Sequence, residues 1–242
     1  MESLSHENII LLGMLFTTIF LIYKTYQTPV DSKSFIINIY LYVIVALLFI
    51  ALIGKYTELS NITDVENMWK MVILYFVLGC TGISMMISDK MFINHIGFLL
   101  LLLALSLIIG VSYKYSSNVT QAATITAIIV MILTTIVFMT SEENLNKMKD
   151  WLPNLTSILL CIICVELGYM LLFGGNQTFH KIMSVTVIGL FMFFILSDTS
   201  RLLLESKSIK CQTHSCINYP LKSTSLVLDY VNIFVRLLNN RK

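Results

Sequence analysis

Eight stretches of apolar residues, each about twenty long and nearly free of charge, follow one another at about 8–26, 35–54, 69–88, 92–112, 121–140, 155–174, 181–204 and 223–239. A run of that length is what a helix needs to cross about 30 Å of hydrocarbon. In lipid every backbone amide must find a partner within the protein, which leaves helices or a closed barrel. Barrel strands alternate apolar and polar residues, whereas these runs are continuous, so the pattern predicts helices. Composition excludes a water-soluble alternative: 57% of the 242 residues are hydrophobic and 12% are charged, too little polar surface to solvate a domain of this size. The expected fold is an all-α polytopic transmembrane bundle of seven or eight helices. Seven runs read as spans. The eighth carries Asp229, Asn232 and Arg236 and reads either as a polar helix inside the bundle or as a re-entrant segment shielded by protein.

The connections are short and hold most of the charges together with Pro29, Pro153 and Pro220, as helix boundaries should. No soluble domain fits between them. The first run is expected to be a retained helix rather than a cleaved signal, because Glu2 and Glu7 precede it where a signal would carry basic residues. One set of loops holds Lys24, Lys33, Lys90, Lys147, Lys149, Arg201, Lys207, Lys210 and Lys222, and the opposite set only Lys55, Lys70, Lys114 and Lys181. The positive-inside rule places the first set in the cytosol and the amino terminus outside or in the lumen. Sequons begin at Asn61, Asn118, Asn154 and Asn176; most lie too near a helix end for modification, and Asn61 is the fair candidate.

Motifs of soluble catalysis are missing. There is no G-x-G-x-x-G, no P-loop, no H-E-x-x-H and no Ser/His/Asp arrangement, so no enzyme activity, cofactor, metal site or nucleic-acid partner is expected. Cys161 and Cys164 form a C-x-x-C inside an apolar run with no basic group to lower a thiol pKa, and they read as packing residues. Cys211 and Cys216 flank His214 in a loop assigned to the cytosol. Three ligands without a fourth make a weak metal signal, and cytosolic thiols are ordinarily reduced and free.

The informative residues are the acids inside the runs, since a carboxylate near the bilayer centre costs about 2.5–3.5 kcal/mol on insertion scales. Glu166 lies near the middle of the sixth run, Asp198 towards the cytosolic end of the seventh and Asp229 within the eighth. The bland reading is an interior polar residue bonded to a neighbouring helix. For Asp198 it includes snorkelling to the interface beside Arg201, three residues on and so on the same helix face.

At these residues the chain resembles the transmembrane Bax-inhibitor-motif family. Ile195 to Leu203, I-L-S-D-T-S-R-L-L, is similar to that family's segment ending Y-D-T-Q-R-I-I. Asn218 to Leu238, N-Y-P-L-K-S-T-S-L-V-L-D-Y-V-N-I-F-V-R-L-L, is similar to its D-Y-V-x-A-x-L-x-L-Y-L-D-I-I-N-L-F-L-x-L-L, without a gap from Tyr219 to Asp229. The 96–140 region, ending L-T-T-I-V-F, resembles the third and fourth family helices, and Phe35 to Tyr56 the first. The resemblance covers about residues 35–242 and is specific over about the last fifty, leaving 1–34 as an additional helix and loop. The chain departs from the pattern at Asn218, where the family has an acid, in 69–88, which lacks the family's arginine, and in the longer 205–222 loop.

What the resemblance implies is a pH-sensitive calcium or cation leak with an anti-apoptotic role. By that resemblance Asp198 and Asp229 would be facing aspartates that share a proton and close the pathway; Glu166, Arg201 and Asn232, read from the sequence itself, are candidate supporting residues. Two carboxylates in reach of each other resist ionising together, and once ionised they attract a hard cation such as calcium, here a permeating ion. The alternatives are a non-conducting scaffold that inhibits cell death by binding membrane cell-death regulators, and a proton-coupled transporter using Glu166 with the aspartates. The expected location is an endoplasmic-reticulum or Golgi-type endomembrane in a eukaryotic or viral setting and the plasma membrane in a bacterium.

Overall fold

The computed structural model describes residues 6–58, 68–114, 118–174 and 176–239. Among the described residues each apolar run is a helix: α1 (His6–Thr25), α2 (Ser32–Glu58), α3 (Met68–Met86), α4 (Met91–Lys114), α5 (Val119–Phe138), α7 (Leu152–Phe173), α8 (Gln177–Ser206) and α9 (Tyr219–Asn239), with the short α6 (Glu142–Lys149) between α5 and α7. Six stretches are long and apolar enough to cross a membrane: Ser32–Tyr56, Trp69–Met86, Met91–Tyr113, Val119–Phe138, Glu142–Phe173 and Gln177–Ser206. The chain is an integral membrane protein with an all-α, polytopic fold. Asn61 lies outside the described residues.

Local chemistry sets the helix ends. The Ser34 backbone N–H donates to Asp31 Oδ1 at 2.6 Å while the Asp31 N–H donates to Ser34 Oγ at 2.9 Å, a reciprocal cap that starts α2 just after Pro29. Asn176 Oδ1 accepts from the N–H groups of Thr178 and Phe179 and starts α8. Pro153 sits in the first turn of α7, and Gly174 closes that helix at φ 72°, a conformation open in practice only to glycine. The hydrophilic stretch 141–153, read from the sequence as a connection, contains α6. It carries Glu142 and Glu143 in its first turn and Lys147 and Lys149 in its last, a charge order that suits the helix dipole without any apolar run to announce it.

The chain divides into two compact units, one of residues 1–115 and 209–227 and the other of 116–208 and 228–242. In the first, α4 packs against α2 and α3, and α1 packs against α2. A glycine pair lets α3 and α4 touch backbone to backbone: a Cβ on Gly82 would stand 2.7 Å from the Gly97 carbonyl, and one on Gly97 2.6 Å from the Gly82 carbonyl. Small residues of this kind are how membrane helices approach closely.

In the second unit α5, α6 and α7 pack on α8. Leu155 is the buried residue of α7, whereas Leu171, Leu172 and Phe173 stand exposed, as a face turned to lipid tails requires. Cys161 and Cys164 are exposed on α7, which corrects their reading as packing residues: most of this helix faces outward, so its thiols do too. The last run is an unbroken helix of 21 residues, about 31 Å at 1.5 Å per residue and long enough to span. Most of its side chains are buried or half-buried, as a polar interior helix and a protein-shielded re-entrant segment both require.

Candidate functional site

In the C-terminal third of α8 the polar run Ser197, Asp198, Thr199 and Ser200 is buried on every side of the helix. Such a run cannot face lipid. Ser200 Oγ donates to the Leu196 carbonyl at 2.7 Å and Ser197 Oγ to the Lys149 carbonyl of α6 at 3.4 Å, whereas Thr199 Oγ1 is buried with no hydrogen-bond partner among the described residues. Asp198 is 3% exposed. It therefore does not snorkel; instead Arg201, one turn on, reaches back to place Nη2 3.4 Å from Asp198 Oδ1. Asp229 on α9 is 5% exposed. It lies within electrostatic reach of both Asp198 and Arg201, and its Oδ2 is buried with no hydrogen-bond partner among the described residues. Two buried carboxylates of the second unit thus lie within reach of a guanidinium whose side chain is 40% exposed. With both acids ionised the cluster has one negative charge in excess, which in a low-dielectric interior calls for a proton or a cation.

Glu166 and Asn232 belong to a different cluster. Arg236 of α9 donates from Nη1 and Nη2 to the two oxygens of Glu166 on α7, at 3.2 and 3.1 Å, the two-pronged geometry that makes arginine–carboxylate pairs strong. His180 Nδ1 of α8 stands 3.5 Å from Glu166 Oε1. Asn232 Nδ2 donates to the Leu228 carbonyl at 2.8 Å and lines, with these residues, a cavity of about 530 Å³. Sequence reasoning missed His180 and the partnership of Arg236 with Glu166. The signal was present, since an acid and an arginine inside two apolar runs are each expected to seek an opposite charge.

The first unit holds a polar aromatic cluster that the sequence did not announce. His214, buried in a 3-10 turn (His214–Cys216), places Nδ1 3.1 Å from Asn38 Nδ2 and 2.6 Å from the Tyr219 hydroxyl. Both partners can donate, so Nδ1 is the acceptor of a neutral ring. Thr25 donates to Asn38 Oδ1, Tyr26 and Tyr42 meet at 3.2 Å, and Tyr42 donates to His95 Nε2 at 2.5 Å. Burial pushes the His214 imidazole below the ordinary histidine range, opposed by the Thr28 backbone and the Asp31 charge. Cys211 and Cys216 are joined as a disulfide, Cα–Cα 6.2 Å, rather than free as a cytosolic loop suggested; the turn at His214 brings the pair within bridging distance. With His214 turned inward the three do not converge, and among the described residues no group of three or more His, Cys, Asp or Glu could hold a metal ion.

These features define a class: a polytopic α-helical membrane protein with a buried aspartate pair on its last two long helices. The model of the family described as inhibitor of apoptosis-promoting Bax1 matches residues 32–240, and the chain belongs to that family, the Bax-inhibitor family. The match leaves α1 outside it. Searches of curated proteins and of solved structures find no match to the chain.

Proposed function

We propose that the protein is a pH-sensitive leak for calcium or other cations that suppresses cell death in an endomembrane of endoplasmic-reticulum or Golgi type. The observation that carries this reading is the burial of Asp198 and Asp229 within mutual electrostatic reach, with the guanidinium of Arg201 beside them. A shared proton offsets the excess negative charge and holds the two acids together. Loss of that proton leaves two like charges that repel and a site that draws a cation. Calcium suits it as a passenger, since a hard ion is met by carboxylate oxygens and water, and two carboxylates without a third bind it loosely enough to let it go. The family's description as an inhibitor of apoptosis-promoting Bax1 supports the cytoprotective role, whether through the leak or through contact with membrane cell-death regulators. The test is flux: purified protein in liposomes should release entrapped calcium, and release no greater than from empty liposomes would reject the leak.

A further inference from the structure

The cavity beside Glu166 is lined by neither Asp198 nor Asp229, yet it is built from groups that would matter to an ion. Glu166, His180, Lys181, Ser184, Asn232 and Arg236 line it, and at about 530 Å³ it has room for more than a dozen waters at roughly 30 Å³ each. Its charges are not sealed off: the side chains of Glu166, Arg236 and His180 are 14%, 29% and 37% exposed. On α9 the residues 229, 232 and 236 are spaced i, i+3, i+7 and so share one face. That stripe runs from the buried aspartate to the cavity over seven residues, about 10 Å along the axis. A charge that far away lies within about one Debye length, and low-dielectric walls focus its field.

We propose that the Glu166–Arg236 ion pair sets the charge of a water-accessible vestibule leading along α9 to Asp229, Glu166 admitting cations and Arg236 excluding them, so that the pairing keeps the two in balance. This rests on the cation-leak reading. In the observed pairing each charge cancels the other. Removing Arg236 leaves a bare carboxylate at the mouth, and removing Glu166 leaves a bare guanidinium. Lys181 and His180 also face the cavity, but they are present in every variant and move the baseline rather than the differences.

The account therefore requires opposite signs for the two single changes and cancellation in the double, a pattern that simple loss of a structural contact does not give. The probe is a cysteine at Asn239, which lines the cavity at its exposed end. Its rates of reaction with a cationic and an anionic methanethiosulfonate reagent are followed on the peptide that carries residue 239, in the full chain reconstituted in liposomes. A cavity of this volume is about 10 Å across if compact; a unit charge at that distance in water changes the local concentration of a monovalent ion about two-fold, and the cation-to-anion ratio of rates about four-fold. R236Q should raise the ratio by about that factor, E166Q should lower it, and E166Q/R236Q should return to within two-fold of the parent. Calcium release should follow the same order. Should R236Q not yield folded protein, the charge-swapped E166R/R236E, which keeps the pair, must match the parent within two-fold while E166Q falls below it. Single changes that move the ratio in the same direction, or by less than two-fold, overturn the proposal. The labelling reads the vestibule without needing conduction: ratios in the stated order with no calcium release would reject the leak and leave the vestibule standing.

Discussion

Replacing Gly97 by alanine should drive α3 and α4 apart. The added Cβ would lie 2.6 Å from the Gly82 carbonyl oxygen, 2.6 Å from the Met86 nitrogen and 2.8 Å from the Met85 Cβ. Two of these are backbone atoms of a helix, so no side chain can swing aside, and restoring ordinary contact needs a separation of nearly 1 Å. Overpacking of that kind costs about 1–3 kcal/mol, against which the better helix propensity of alanine returns about 0.5–1 kcal/mol. The net expectation is a loss of up to about 2.5 kcal/mol, or a fall of up to roughly 10 °C in Tm for a chain of this size, and a difference of about 1–3 kcal/mol from an unhindered Gly→Ala change. Gly79, on α3 beside Gly82, has nothing within 4 Å of a built Cβ, and Gly79→Ala should be neutral or slightly stabilising. The assay is thermal unfolding of the two purified variants in one detergent. Equal melting of Gly97→Ala and Gly79→Ala would refute the backbone contact and the packing of the first unit that depends on it.

Other expectations follow from individual sites. Because burial lowers the His214 pKa, the unfolded chain binds the proton more readily than the folded one; the stability contributed by neutral His214 is complete above about pH 6.5 and is lost as pH falls through the lowered folded value. His214→Gln should flatten the dependence of thermal unfolding on pH in that window, and an unchanged dependence would assign it to another group. Cys161→Ala with Cys164→Ala should leave expression and flux near normal, since both thiols are exposed on α7 and pack against little; loss of a bound metal on that change would show a site there. Topology is testable by tags: the excess of basic residues on one set of loops places 141–153 in the cytosol and 55–68 in the lumen, and protease protection of both on one side would break the orientation.

The helices were legible because lipid leaves the backbone no alternative and because twenty apolar residues in a row have one reading. α6 was not, since its order rests on Glu142, Glu143, Lys147 and Lys149 and on packing against α8, and a search for apolar runs passes over it. Asp198, Asp229 and Glu166 stood out as acids inside apolar runs, but spacing along the chain could not sort them into two clusters. That sorting depends on which helix turns face each other, and it put Glu166 with Arg236, 70 positions away. The cluster around His214 was invisible for the same reason: Asn38 and His214 are 176 positions apart, and neither residue is unusual where it stands. The spacing of Cys211 and Cys216 did not reveal the turn at His214 that brings them within bridging distance.

Calcium release from liposomes, followed across pH for the parent chain, Asp198→Asn, Asp229→Asn and the double substitution, tests the aspartate latch most directly. A shared proton makes the two sites one unit, so either amide should flatten the pH dependence by removing the repulsion that drives opening while leaving a hydrogen bond available. The double change should add little to either single one, because groups that act together are non-additive. Glu166→Gln should keep a pH response, its partner being Arg236 rather than an aspartate. Summed effects of two independent aspartates, or a pH response abolished by Glu166→Gln and retained by both aspartate variants, would contradict the latch and shift the proton chemistry to the Glu166 cluster.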